Sequence, residues 1–493
     1  MPRTERLRPW AARFRTSLLA VSGGGGRVEA ARPSAGPSPR KEVVTLAWPI
    51  AVAMLGDTAM GLVDTRLVSG LGPAALGGVG LAVTLMYLSY ATVFGVMRGV
   101  KVRAAHALGA GDAHHGIRYA QAGVLLGLGA GLAVFAWGRD ITWLLRGLGV
   151  DPALWVPARD FLSARTVLAP ATCALSALVQ WRQGVGDSRT PMRITLVGNV
   201  INAGLAWCLI HGHLGLPRLG VAGAGYATAT AEALSATTLG VLLVRSSWRE
   251  KALLRRADTP SLGEAVRKVL GLGLPTGLQF GIETAAFATF TVILGGLGAT
   301  ELAAHQIALA TLRVSFLPGV AVGEAASVLV GKALGRGSLA EADRMTRAAL
   351  GVAVSFMALC GLTFALGGNL VGRAFTDDPG LVAQVRTLLR VAAVFQVLDA
   401  VNIVLRGALR GAKDVRAVAA LGVVIVWAFV PGAAWFLGRG MGLGVLGGWL
   451  GFVGETTLCA AVFWLRWTQG SWRGQYAGAG ALTGRAAPQT VLA

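Results

Sequence analysis

Seven carboxylates, Asp57, Asp64, Glu232, Glu283, Glu324, Asp399 and Glu455, sit inside otherwise apolar stretches of this 493-residue chain. A charge at the middle of a membrane helix costs about 2.5–3.5 kcal/mol on insertion scales, so an acid retained there normally has a task. A carboxyl group that is alternately wetted and dried exchanges a proton near neutral pH. Ionised, the same group is a ligand for Na+ or an attractor for an organic cation. The competing assignment is a structural ion pair with one of the in-span arginines Arg66, Arg98, Arg165 and Arg313. Asp57 and Asp64 are seven apart, two helical turns, and share one helix face. Asn402 follows Asp399 by three residues, so those side chains are also neighbours. Asn199, Asn202, Tyr87, Tyr90, Gln279, Gln306 and Gln396 are polar positions able to line a cavity or to make ordinary interhelical hydrogen bonds.

The stretches that carry these residues occur twice. With Pro49 set over Pro275, an offset of 226, Leu46, Thr58, Thr65, Gly70 and Gly72 fall on Leu272, Thr284, Thr291, Gly296 and Gly298. The same offset takes Gly109 to Gly335 and Gly111 to Gly337, while Gly184–Arg189 falls on Gly411–Arg416 at an offset of 227. It also places Asp57 on Glu283 and Arg98 on Glu324, whereas Asp64 falls on Phe290. Asp64 therefore belongs to the first half alone. Arg98 and Glu324, opposite in sign, either pair or reach water separately from the helix ends. Glu232 and Glu455 lie about one turn out of register. Two similar apolar halves are a common transporter plan, with the substrate site between them near the bilayer midplane.

Composition agrees. Hydrophobic residues make up 54% and charged residues 14% of the chain, against about 25% charged in soluble domains, and mean hydropathy is +0.61. A helix needs about 20 apolar residues to span a bilayer. Spans are expected near 43–68, 80–103, 119–138, 160–181, 192–211, 219–244, 268–296, 303–331, 346–370, 387–409, 417–438 and 441–465, with Pro49, Pro170, Pro275, Pro318 and Pro431 inside them as kinks. The expected architecture is an all-α integral membrane protein: twelve transmembrane helices in two six-helix repeats. The expected parts are a disordered basic tail (1–42), an N-terminal six-helix bundle (43–244), a cytoplasmic linker (245–267), a C-terminal six-helix bundle (268–466) and a C-terminal tail (467–493). The alternating charge of the linker suits a helix lying on the membrane surface.

The net charge of +21 is concentrated in the tails and the even-to-odd connections, such as Arg245–Lys268 and Arg406–Arg416. By the positive-inside bias, both termini are expected in the cytoplasm, with the chain in the cell's inner membrane. The charge follows the loops and shows no basic-aromatic surface, which argues against nucleic acid. Cys173, Cys208, Cys360 and Cys459 lie in apolar runs without metal-ligand spacing and read as free buried thiols.

Four segments carry a family resemblance. Span one reads LAWPIAVAMLGDTAMGLVDTRLVSGLG, and span seven with its exit reads LGLPTGLQFGIETAAFATFTVILGGLGATELAAHQIA. Span eight ends LPGVAVGEAASVLVGKALGRG, and span ten reads FQVLDAVNIVLRGALRGAKD. Together they resemble the multidrug and toxic compound extrusion (MATE) family over roughly 43–466. The resemblance implies two six-helix bundles forming a V, related by a pseudo-two-fold axis, with a cavity opening alternately to either side. It implies H+ or Na+ coupling at Asp64, Glu283 and Asp399, with Glu283 and Asp399 as Na+ candidates, and small organic compounds as substrates. Asn202 matches a family asparagine, but Ala206 stands where a second polar residue is expected. Asp57 has no acidic counterpart in the family. His305, in AAHQ, marks the start of span eight, with a structural role as the first reading and a titrating role as the alternative.

No G-x-x-x-x-G-K-[ST], H-E-x-x-H or G-x-S-x-G motif occurs, so neither an ATP-driven mechanism nor an enzyme is indicated, and no cofactor is expected. The expected function is a secondary antiporter with amphipathic, cationic organic compounds as its cargo, acting as a monomer among membrane lipids. The rival is a flippase for lipid-linked or polysaccharide precursors of the same superfamily, kept open by Arg66, Arg98, Arg165 and Arg313.

Overall fold

The computed structural model describes residues 38–139, 142–147, 149–249 and 259–476. Most of the expected basic tail and the centre of the linker lie outside these residues. The first half contains α1 (Pro39–Ser69), α2 (Pro73–Gly109), α3 (Ala113–Arg139), the short α4 (Thr142–Gly147), α5 (Pro152–Thr166), α6 (Ala169–Gly184), α7 (Arg189–His211) and α8 (Val221–Arg249). The second half contains α9 (Leu262–Gly295), α10 (Ala299–Gly335), α11 (Leu339–Phe375), α12 (Pro379–Gly411), α13 (Val415–Ala433) and α14 (Gly444–Gln469). Among the described residues, eleven helices are long and apolar enough to cross a membrane, and α5 with α6 forms a twelfth span bent by 59°. The expected straight span at 160–181 is thus broken. Pro170 lies in the first turn of α6 and has no N–H to donate back across Val167 and Leu168, so the chain turns there. After Pro431, α13 widens into a π-helical stretch, Ala434–Gly440, the kind of local bulge that bends a helix. Helix α14 passes residue 466, and Trp467 and Trp472 stack with ring centroids 4.5 Å apart, both buried; the rest of the expected C-terminal tail, from 477, lies outside the described residues.

Ser261, Ser338 and Asp378 cap α9, α11 and α12 by accepting from Glu264 N, Glu341 N and Gly380 N, which satisfies donors that a helix start leaves open. Each half then builds its own apolar core. Val79, Met86, Phe161 and Leu162 pack in the first, and Phe290, Leu388, Phe395 and Trp449 in the second.

The halves meet at the face from which α1 and α9 start and at which α8 and α14 end, called here the terminus face. Val43 and Leu46 of α1 cluster with Val322 and Ala325 of α10. On the repeat-related side, α2 and α9 approach backbone to backbone. A Cβ built on Gly99 would lie 2.5 Å from Val269 O, and one on Gly273 would lie 2.2 Å from Val96 O. Their repeat mates are Ala325 and Ala47, so the glycine side of the crossing is the tighter one. Small residues of this kind let membrane helices pack closely.

All hydrogen bonds and ion pairs between the halves among the described residues involve residues 98–106 of α2. The close glycine contacts between α2 and α9 extend no further than Thr92 and Gly281. Beyond that level the halves diverge into a V-shaped cleft, as the repeat and the family resemblance imply.

Candidate substrate and ion site

In the first half, α1 presents both aspartates to α7. Asn199 Nδ2 donates to Asp57 Oδ1 at 3.2 Å, and Asn202 Nδ2 donates to the two oxygens of Asp64 at 3.4 and 3.3 Å. Asn202 is buried, Asp64 half-buried and Asp57 exposed. Arg66, two residues from Asp64, is exposed and donates to Ser69 Oγ at 3.4 Å. Neither aspartate has a cationic partner within ion-pair distance among the described residues.

A separate, largely buried cluster links four helices of the same half. Arg165 of α5 meets both oxygens of Glu232 of α8 at 2.6 Å, Thr172 of α6 donates to Glu232 at 2.6 Å, and Tyr90 lies under the guanidinium at 5.8 Å. The acid in span six and the in-span arginine thus neutralise one another.

In the second half, Glu283 of α9 accepts from Arg406 of α12 at 3.0 and 2.9 Å and from Gln279 Nε2 at 2.8 Å. Arg406 Nη2 also lies 3.9 Å from Glu455 Oε1 of α14 and contacts Cys459 Sγ at 4.0 Å. Asp399, about two helical turns before Arg406 on α12, is buried and accepts from Asn402 Nδ2 at 3.4 Å. It has no ion pair among the described residues. Glu283 and Asp399 therefore differ in kind: a guanidinium holds the first, and an amide holds the second. Both carboxylate oxygens of Glu283 are thus already engaged by Arg406. Among the described residues no group of three or more His, Cys, Asp or Glu side chains is arranged to hold a metal ion.

Arg98 and Glu324 pair between the halves at 2.8 Å, and Lys101 also pairs with Glu324. The alternative of separate snorkelling is excluded by the packing: Lys101 is 1% exposed, and Arg98 lies over the Phe280 ring at 4.9 Å. Because the two residues are repeat mates in contact, they mark the pseudo-two-fold axis. Gly109 and Gly335, also mates, approach one another a few turns further along.

Of the neutral polar positions, Gln279 joins Glu283, and Gln396 donates to Ser315 Oγ at 2.5 Å. Tyr90 is buried, whereas Tyr87 and Gln306 are exposed. His305 is buried and accepts from Trp449 Nε1 at 3.3 Å, a packing role. The four cysteines are free thiols, with Cys360 only half-buried.

Sequence reasoning missed Arg406 and Arg410, which it grouped with loop charges. The available signal was spacing: Asn402, Arg406 and Arg410 follow one another at four-residue intervals and so share a helix face.

The MatE family model matches the chain twice, at residues 49–208 and 275–434. Both matches are separated by the same 226 residues as the internal repeat. A probable multidrug resistance protein NorM of Burkholderia mallei is 34% identical over 418 residues, covering 83% of this chain and 88% of that one. The multidrug resistance protein NorM of Burkholderia vietnamiensis is 32% identical over 432 residues, covering 86% and 92%. Among solved structures, a multidrug resistance MATE family transporter of the MOP superfamily in an outward-facing conformation aligns with a TM-score of 0.77 at 22% identity, over 90% of this chain and 97% of that one. A eukaryotic MATE transporter, AtDTX14, aligns with a TM-score of 0.78 at 20% identity, over 90% and 98%. Carrying the family's sequence in each of its two halves, this all-helical membrane protein belongs to the MatE family of MATE transporters, which are not enzymes.

Proposed function

We propose that the chain is a secondary antiporter that exports amphipathic organic compounds by alternating access, driven by inward movement of H+ or Na+. The observation that carries this reading is the state of two acids. Asp64 and Asp399 each meet an asparagine rather than a cation, and an unpaired carboxylate inside a membrane is free to exchange a proton, hold a small cation or meet a cationic ligand. If ion and cargo share these groups, each weakens binding of the other by the same factor. Glu283 acts here through Arg406, as a charge whose partner can be taken away. Asp57 is accessible and belongs with the cargo-facing surface.

The basic connections favour a cytoplasmic terminus face in the inner membrane. The cleft in this conformation then opens to the opposite side. The precursor-flippase reading draws less support, because Arg165 and Arg98 are neutralised by Glu232 and Glu324 and Arg66 turns to Ser69.

The test is dye efflux from proteoliposomes under an imposed proton gradient and, separately, a sodium gradient. Asp399→Asn and Glu283→Gln are expected to abolish gradient-driven efflux. Wild-type efflux from both variants refutes the coupling assignment.

A further inference from the structure

A small cavity of about 10 Å³ lies where the halves meet at the terminus face. Arg98, Lys101, Glu324, Ser327 and Arg410 form part of its wall. Arg98 and Glu324 are repeat mates, and at the same offset of 226 so are Lys101 and Ser327. The cavity therefore sits on the pseudo-two-fold axis, within the contact between the halves.

Its wall is short of negative charge. Both oxygens of Glu324 are engaged, one by Arg98 at 2.8 Å and the other by Lys101. Arg410 of α12 is the third cation, and it has no ion pair among the described residues. Its Nη2 donates to Gln279 Oε1 at 3.3 Å, while its Nε is buried with no hydrogen-bond partner among the described residues. Gln279 brings no charge, and Glu283 beyond it is held through both oxygens by Arg406. Even with Lys101 neutral, two guanidinium groups, which stay charged in proteins, face a single carboxylate. A cation buried without compensation is costly.

We infer that this cavity is a binding site for one chloride ion, held by Arg410 from the second half and by Arg98 and Lys101 from the first. The charge of the wall sets the sign, because a water fills the space but offsets nothing. The volume sets the class: about 10 Å³ is room for one particle of about a water's size. A monatomic halide meets that limit, and phosphate or an organic anion does not. Ser327, 3% exposed, adds a hydroxyl able to donate to an anion. The hydroxyl of Thr276, also on the wall, is already committed to Leu272 O at 3.0 Å. Since the cationic groups come from both halves, the bound ion ties them together on this face. None of Asp57, Asp64, Glu283 and Asp399 lines the cavity, so the site stands apart from the cargo and the coupling ion.

Thermal melting of the purified full chain in detergent tests this, with sodium chloride replaced stepwise by sodium gluconate. Sodium and ionic strength then stay fixed, and gluconate is too large for the cavity. The wild type should melt about 2 °C higher in chloride, with a shift that saturates as chloride rises. Arg410→Gln removes the uncompensated charge and should melt at one temperature in both salts. Ser327→Val leaves every charge in place but removes the hydroxyl and fills part of the space, and it too should lose the shift. It carries the comparison alone if Arg410→Gln does not fold. Equal melting of the wild type in the two salts, a shift that never saturates, or a full chloride shift in either folded variant overturns the site and leaves the cavity to water.

Discussion

Arg98 and Glu324 occupy the same position in the two halves of the chain, and their side chains meet at 2.8 Å. Contact between repeat mates fixes the pseudo-two-fold axis, and opposite signs turn what would be a repulsive meeting into an ion pair. Lys101 joins the same carboxylate, so one acid bridges two basic side chains where the halves meet at the terminus face.

That contact is expected to loosen when the acid is removed. Glu324→Gln leaves the half-buried Arg98 and the buried Lys101 without a counter-charge, a loss of about 3–5 kcal/mol for a broken buried pair. Ser327 is 3% exposed. In a background without native cysteines, Ser327→Cys should therefore react slowly with an impermeant thiol reagent from the terminus face. Adding Glu324→Gln should raise that rate at least tenfold. An unchanged rate contradicts a gating role.

The Glu283–Arg406 pair makes a second prediction. Arg406→Gln strands Glu283 and Glu455 together and should lower stability by about 3–5 kcal/mol, read as a fall in melting temperature in detergent. Combining it with Glu283→Gln should recover much of the loss, because the stranded charge is gone. Simple additivity of the two single variants counts against the pairing.

Asp64 and Asp57 should separate. Asn202→Ala removes the amide that holds Asp64 and is expected to reduce gradient-driven efflux by about tenfold, the size of a lost charge-assisted hydrogen bond of about 1.5 kcal/mol. Asn199→Ala, acting on the exposed Asp57, should cost about threefold or less. Equal effects contradict the distinction.

The helix crossing should tolerate change on one side only. In Gly273→Val the new side chain meets the backbone of α2, because even a Cβ there lies 2.2 Å from Val96 O. A loss of about 1–3 kcal/mol is expected from overpacking. Ala47→Gly, at the repeat-equivalent position, should fold with a smaller loss, about 1 kcal/mol. Comparable losses in melting assays refute the asymmetry.

Lys413, in the turn between α12 and α13, carries a pH prediction. Its φ of +65° is left-handed, and its repeat mate is Gly186 at +84°. Burial, with Arg103 and Lys268 nearby, pushes its ammonium down from 10.5 to about 8. The folded value is below the unfolded one, so folding disfavours the charged form, and stability should rise as pH climbs from about 8 towards 10.5. Lys413→Gly should remove that contribution and relieve strain of about 1 kcal/mol at pH 7. A melting temperature whose pH dependence is the same in both proteins contradicts this.

The amino-acid sequence determined the spans, because twenty apolar residues have few stable places other than a bilayer. It determined the duplication, because the 226-residue offset survives in glycines and prolines that each helix needs locally. It also determined the neighbours that lie within one turn, Asp399 with Asn402 above all. Only the tertiary structure decided which acids are neutralised. Glu232 meets Arg165 and Glu283 meets Arg406, while Asp64 and Asp399 meet asparagines. Those choices depend on the rotation and depth of one helix against another. Gly99 and Gly273 set both by letting two backbones touch, and helical periodicity along a single segment carries no information about the segment it will cross.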